Sequence, residues 1–235
     1  METQNQKKIK IITIDGPAGS GKSTIAKMLA KHIDFIHIDS GAIYRGYTYA
    51  VIQKIGLQAS AEDFGNTFQT LNILPHEFSL KIEFFQEEQI VLLNGVPINS
   101  YLRTRELTER IKFIADSIPY RKAVNSILKE ISKNHSIVID GRDMGTEVFP
   151  EAKFKFYLEA SIEERAKRRF LEIQNKAPNI SLELIKKEIQ KRDEEDKNRN
   201  LGGLKIPKDS IIIDTTSLNR NMVLNLIKNI LNFSF

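Results

Sequence analysis

Apolar and polar positions along the chain alternate between two periods. Short β-branched runs at Ile9 to Ile14, Phe35 to Ile38, Ser136 to Asp140, Lys153 to Leu158 and Ser210 to Asp214 read as buried strands. Between them lie stretches of helical period. The first, Lys22 to Ile33, puts Ile25, Met28, Leu29 and Ile33 on one stripe. Others follow at Ala42 to Ile55, Arg105 to Asp116, Arg121 to Lys133, Ile162 to Asn175, Leu182 to Asn200 and Asn219 to Leu231.

Strands that alternate with helices predict an α/β fold, a parallel sheet covered by helices on both faces. The rhythm breaks between about 62 and 104. There SerLeuLysIleGluPhe and IleValLeuLeuAsnGly predict strands, and AsnGly at 94 and 95 marks a turn. We expect a small antiparallel β insert at 62–104, too short for an independent core, resting on a core made of 9–61 and 105–235. Residues 1–8 read as a flexible polar tail.

Composition narrows the class further. A chain of 235 residues with 41% hydrophobic content is neither disordered nor collagen-like. No run approaches the roughly 18 apolar residues of a membrane span, and the polar start lacks the apolar segment of a secretory signal. With no cysteine, disulfides and thiolate metal sites are excluded, and a cytoplasmic location without a membrane partner is expected.

The net charge of +5 admits nucleic acid, a membrane surface or small anions. Sorting it by residue type decides between them. Of the 35 basic residues, 23 are Lys scattered along helix faces and 12 are Arg. Eight of the 12, at 45, 121, 142, 165, 168, 169, 192 and 199, fall in segments that can surround two phosphate chains. The acids at 193 to 196 interrupt the basic stripe that a nucleic-acid surface would need, so small polyanions are the expected partners.

GlyProAlaGlySerGlyLysSer, at Gly16, Pro17, Ala18, Gly19, Ser20, Gly21, Lys22 and Ser23, matches glycine, four residues, glycine, lysine, serine between a predicted strand and a predicted helix. This is a P-loop NTPase signature. Its glycines let backbone amides face phosphate oxygens at a helix amino terminus. Lys22 would neutralise β- and γ-phosphate charge, and Ser23, with Thr24 beside it, would offer a hydroxyl to Mg²⁺. The motif predicts nucleoside triphosphate binding and leaves the acceptor open.

Four further clusters fall at strand ends or on helices. In IleAspSerGlyAlaIleTyrArg, Ser40 is either a cleft residue or a helix N-cap, and Arg45 either a cleft residue or a solvated charge; Tyr44, Tyr47 and Tyr49 read as core or cleft wall. In IleValIleAspGlyArgAspMetGlyThr, Asp140 ends a buried strand where an acid can hold the Mg²⁺ shell through water, while Arg142 and Asp143 face the cleft or pair with each other. Arg165, Arg168 and Arg169 share one helix face, and Arg192, Asp196 and Arg199 another. Solvated salt bridges explain such runs in general; beside a phosphate loop, anion clamping competes.

Taken in order, GlyProAlaGlySerGlyLysSer, AspSerGlyAlaIleTyrArg, AspGlyArgAspMetGlyThr and ArgAspGluGluAspLysAsnArg resemble the bacterial cytidylate kinase family, over the chain from about Ile9 to the final helix. The resemblance implies a nucleoside monophosphate kinase fold with a core, a helical lid near 160–176 and an enlarged monophosphate-binding region at 62–104. It implies that Arg45, Arg142 and Arg199 bind the CMP phosphate and that Arg192 and Asp196 hold the ribose hydroxyls. It further implies that Arg121 and Asp143 read the cytosine edge with Ser40 beside them, and that Arg165 to Arg169 belong to a lid over ATP. One departure stands out: where the family often has a serine contacting cytosine, this chain has Lys112, with Ser117 nearby.

The expected reaction is transfer of the γ-phosphoryl group of Mg·ATP to CMP or dCMP by a monomeric enzyme. Lys22, Asp140, Arg142, Arg165 and Arg168 are the expected catalytic residues. The acceptor oxygen is ionised at neutral pH, so no base is needed. Competing readings are a kinase acting on UMP or on an alcohol, where Asp140 or Asp15 would be the base, and a non-catalytic nucleotide-binding module.

Overall fold

The computed structural model describes residues 10–174 and 180–232. The polar tail at 1–8 and the end of the expected lid, 175 and 176, lie outside them. Along the chain run β1 (Ile11–Asp15), α1 (Lys22–Ile33), β2 (Ile36–Asp39), α2 (Ser40–Ile55), α3 (Ala61–Leu71), β3 (Leu80–Phe85), β4 (Glu88–Leu93) and β5 (Val96–Pro97). They are followed by α4 (Arg105–Ala115), α5 (Ile118–Asn134), β6 (Ile137–Gly141), β7 (Phe154–Glu159), α6 (Ile162–Ile173), α7 (Leu182–Asn198), β8 (Ile211–Asp214) and α8 (Arg220–Asn232).

The central sheet has the order β2-β6-β1-β7-β8 and is parallel throughout. Because successive strand residues face opposite sides, each strand feeds two layers. Ile12, Ile14, Val138 and Phe156 pack with Ile25 and Leu29 of α1 and with Val223 and Ile227 of α8. On the other face Ile38, Ile137 and Ile139 join Tyr47 of α2, Ile114 of α4 and Tyr120 and Leu128 of α5. Helices therefore cover both faces, as the alternating pattern predicts.

The region 62–104 differs from expectation at its start. Residues 61–71 form the helix α3, capped by the Ser60 hydroxyl accepting from the Asp63 amide at 3.0 Å, with Phe64 and Phe68 one turn apart on its buried face. The antiparallel sheet β3-β4-β5 follows. Asn94 and Gly95, at φ 51° and 81°, make the β4–β5 turn that the sequence marks. The β3–β4 hairpin instead turns on Gln86 and Glu87, at φ 49° and 65°, without a glycine.

Leu80, Val91, Ile98 and Leu102 lie in the same apolar cluster as α2 and α5, so this sheet shares the main core. Gly46 makes the approach possible, since a Cβ there would lie 2.8 Å from Leu80 Cδ1. The α6–α7 pair is built differently: Ala166, Ile185 and Ile189 form a small cluster of their own.

Candidate active site

Parallel strands bring their carboxyl ends to one edge, and here each end carries an acid: Asp15, Asp39, Asp140, Glu159 and Asp214. Ile14 and Asp39 are both register partners of Asp140, so three strand ends meet at that carboxylate. The chain leaves this edge through the loop Gly16–Ser23. Gly19 and Gly21 hold left-handed φ of 77° and 87°, a backbone that side chains rarely adopt, and α1 begins at Lys22.

Lys22 folds over the loop and donates to the Pro17 carbonyl at 3.0 Å. Its ammonium is pushed down to about 7, by burial first and by the charge of Arg142 second. A bound anion would reverse both effects. Next to it the Ser23 hydroxyl donates to Asp140, whose other oxygen lies 2.8 Å from His37 Nε2. Burial pushes Asp140 up, but the His37 contact, Lys22 and Ser23 together hold it below its usual range. Ser23 and Asp140 thus set a hydroxyl and an ionised carboxylate side by side at the loop, hard oxygen donors of the kind that suit Mg²⁺. Asp15 behaves oppositely. Burial raises it to about 7 although it accepts from the Met144 and Gly145 amides at 2.9 and 2.7 Å. With both oxygens engaged it serves as a clamp on the loop after β6.

Ser40 is not the helix cap. Asp39 takes that role, accepting from the Ala42 amide at 3.0 Å, because its carboxylate ends β2 one residue earlier. The Ser40 hydroxyl is turned inward and donates to the Asp140 carbonyl at 2.7 Å. Tyr44 and Tyr47 are buried, Tyr47 against Tyr120 edge to face at 5.2 Å, while Tyr49 stacks on Tyr101 at 5.3 Å.

Three arginines, Arg142, Arg192 and Arg199, act on Asp196 of α7, and Arg45 lies beside Arg142 and Arg192. Arg142 Nε donates to it at 2.7 Å and Arg199 Nη2 lies 3.2 Å away; Arg199 also reaches Asp116 at 2.5 Å. Arg142 therefore pairs with Asp196 and not with the adjacent Asp143. Arg192 makes no hydrogen bond or ion pair among the described residues, and burial together with the charges of Arg142 and Arg45 pushes it down to about 9. Arg45 is also lowered, by burial first, offset by Asp39, and its buried Nε has no hydrogen-bond partner. Both remain protonated at neutral pH. Arg45, Arg142 and Arg192 thus repel one another in a buried cluster, with Asp39 and Asp196 as counter-charges.

Arg121 pairs with Asp143 in a buried contact, and lies 3.4 Å from Glu147. Burial raises Asp143 despite that partner. Gly202, at φ 64°, lies so close over the Arg121 guanidinium that any Cβ would collide with it, and its amide donates to Glu147 at 2.8 Å. Lys112 reaches across to Glu195 on α7 at 3.0 Å, and a cleft of about 450 Å³ opens between them, lined also by Asp116, Ile118 and Arg199. Ser117 sits at the start of α5 and makes no cap there.

The arginines of α6 face the phosphate loop. Arg165 donates to the Ala18 carbonyl at 3.1 Å and to Asp193 of α7 at 2.6 Å, and a Cβ on Gly19 would lie 3.1 Å from its own Cβ. Arg168 holds Thr215 after β8, through its hydroxyl at 3.0 Å and its carbonyl at 2.6 Å. Arg169 pairs with Glu172 at 3.1 Å and is exposed, and its charge still acts on Arg45 and Arg192.

Sequence reasoning missed His37, Gln89, Asp193 and Thr215. Each contacts a site segment from elsewhere in the fold, and no local spacing marks them.

Fold and site together define a P-loop phosphotransferase in which two buried arginines, Arg142 and Arg192, act on Lys22 of the loop. The family model described as cytidylate kinase matches residues 12–232. The chain is 40% identical over 227 residues to a cytidylate kinase of Bacillus cereus, covering 95% of this chain and 96% of the relative. It is 41% identical over 210 residues to a cytidylate kinase of Bacillus anthracis, covering 88% and 89%. Among solved structures, shikimate kinase from Acinetobacter baumannii in complex with shikimate superposes at a TM-score of 0.47 with 14% identity, covering 97% of this chain and 96% of that one. The chain belongs to the cytidylate kinase family and is an enzyme, a kinase.

Proposed function

We propose that this kinase phosphorylates CMP and dCMP with ATP, by direct in-line transfer of the γ-phosphoryl group. Membership of the family supports phosphorylation of a nucleoside monophosphate. The single observation that carries the reading is the self-repelling cluster of Arg45, Arg142 and Arg192, in which Arg142 and Arg192 also act on Lys22 of the phosphate loop and Arg45 Nε is unpartnered. A triphosphate site alone has no use for a second cationic hole. A second phosphate-bearing substrate does.

In this reading Gly16 to Thr24 cradle the donor phosphates, and Lys22 regains its proton there and neutralises the β- and γ-oxygens. Mg²⁺ bound by Ser23, and by Asp140 through water, would supply further neutralisation of the triphosphate. Arg45, Arg142 and Arg199 bind the acceptor phosphate, Arg192 and Asp196 the ribose hydroxyls, and Arg121 and Asp143 the base, with Ser40 lining the pocket. Lys112 stands where a serine is common in the family, so recognition at that corner passes to it or to Ser117. Arg165 and Arg168 carry α6 over the donor as part of a lid at 160–176, while 62–104 forms the monophosphate-binding insert. Catalysis is by charge placement and exclusion of water. The acceptor is an ionised phosphate oxygen, and the engaged carboxyl groups of Asp15 and Asp140 fit the absence of a base.

A coupled ADP-release assay across CMP, dCMP, UMP and AMP tests the proposal. CMP and dCMP should give the highest kcat/KM; turnover of none of the four would overturn it.

A further inference from the structure

Gln89 lies on β4, outside the phosphate loop and the arginine cluster, yet its side chain pairs with the backbone of Asp39 like the rung of a sheet. The Asp39 amide donates to Gln89 Oε1 at 2.8 Å, and Gln89 Nε2 donates to the Asp39 carbonyl at 3.2 Å. Both polar groups of one primary amide are thereby engaged by one residue, a geometry that fixes position and orientation together.

That residue is the hinge between β2 and α2. Asp39 caps α2 through its Oδ1, and a Cβ on Gly41 would lie 2.8 Å from Arg45 Nη1 and 3.1 Å from that same Oδ1. The Asp39 carboxylate is also the counter-charge that acts most strongly on Arg45. The backbone held by Gln89 is thus the platform under the Arg45 guanidinium. The other end of the clamp is braced as well. Asn99 donates to the Gln89 carbonyl at 2.7 Å and accepts from the Val91 amide at 2.8 Å, so β4 is tied on its far side without contact to Asp39. Lys27 of α1 reaches the neighbouring Glu88 at 2.8 Å, but that pair is exposed and adds little.

We infer that Gln89 is a positioning residue for the acceptor half of the site: through the Asp39 backbone it sets the start of α2 and hence where Arg45 points. The inference rests on the proposed function for its kinetic consequence, though not for its structural one. Gln89→Met keeps the volume and removes both hydrogen bonds, leaving the Asp39 amide and carbonyl without their partner. The KM for CMP should rise about tenfold, the size expected for one part-buried hydrogen-bonded pair, with the KM for ATP within about twofold of wild type. Amide hydrogen exchange at residues 40–45 of the nucleotide-free protein should accelerate by a similar factor. Asn99→Ala, which loosens β4 alone, should lower the melting temperature while leaving the ratio of the two KM values unchanged.

Unchanged exchange at 40–45 in Gln89→Met would overturn the inference whatever the enzyme acts on. So would equal effects on both KM values, or an Asn99→Ala variant with the same selective loss. Wild-type protein that turns over no nucleoside monophosphate would instead overturn the proposed function, and the exchange measurement would still decide the role of Gln89.

Discussion

The β3-β5 sheet and the α6–α7 pair are fastened to the core in opposite ways. The sheet is joined by apolar burial: Leu80, Val91, Ile98 and Leu102 are continuous with the main cluster, and Gln89 adds a backbone-like clamp. Among the described residues the helix pair buries Ala166, Ile185 and Ile189, with Ile162, Phe170, Ile173 and Ile180 partly buried around them. It is held to the rest by ion pairs, Arg142 to Asp196, Lys112 to Glu195 and Arg105 to Glu188, and by the hydrogen bonds of Arg165 and Arg168 to backbone carbonyls. Apolar packing is non-directional and costly to open, whereas charged contacts can be exchanged for contacts to a ligand of the same charge as the displaced carboxylate. An enzyme that must exclude water and then release product needs one wall of each kind.

The largest effect should come from removing the cation that joins α7 to the core. Arg142→Ala is expected to lower kcat by about 100- to 1,000-fold, the range for loss of one transition-state charge donor, with ATP affinity measured by calorimetry little changed. Turnover close to wild type would mean that the Arg142–Asp196 pair serves only to hold α7 shut.

Truncating one apolar side chain on each side tests the comparison directly. Leu80→Ala, on β3 and in the main cluster, should destabilise the whole fold by about 2–5 kcal/mol in denaturant melts. Ile189→Ala, in the small cluster, should leave the main transition nearly in place and accelerate hydrogen exchange and proteolysis within α6 and α7 alone. Equal global losses would show that the two walls are one cooperative unit.

The smallest effect separates donor from acceptor. Lys22 is depressed to about 7 in the free protein, so below that pH it is already charged and above it a bound polyphosphate must bring a proton with it. The KM for ATP should therefore rise about fivefold from pH 7 to pH 8, with proton uptake on binding, while the arginine-lined acceptor side stays flat. A flat donor profile would place the Lys22 titration elsewhere.

Much of this architecture is legible in one sequence because it is local. Strands, helices and the phosphate loop follow from short-range periodicity and from glycines at fixed offsets, and α1 spans Lys22–Ile33 as its stripe predicts. The arginines are legible as a set. Their partners are not: Arg142 lies one residue from Asp143 yet bonds Asp196, 54 positions away, and Arg121 takes Asp143. His37 looks like an ordinary strand residue until β2 and β6 pair and bring it to Asp140. The α2 cap falls on Asp39, where the sequence leaves Ser40 open as cap or cleft residue. A single residue of offset changes which side chain faces an amide, and hydrophobic pattern does not resolve one residue.

The hairpin between β3 and β4 has a consequence for anyone who wishes to alter this enzyme. Gln86 and Glu87 hold left-handed backbone angles that neither side chain favours, at an exposed tip. Replacing the pair by Asn-Gly, the dipeptide already present at the next turn, relieves that strain without touching any residue assigned to binding. The tip is thus a reserve of unclaimed stability, from which a designer can offset a destabilising change made in the cleft.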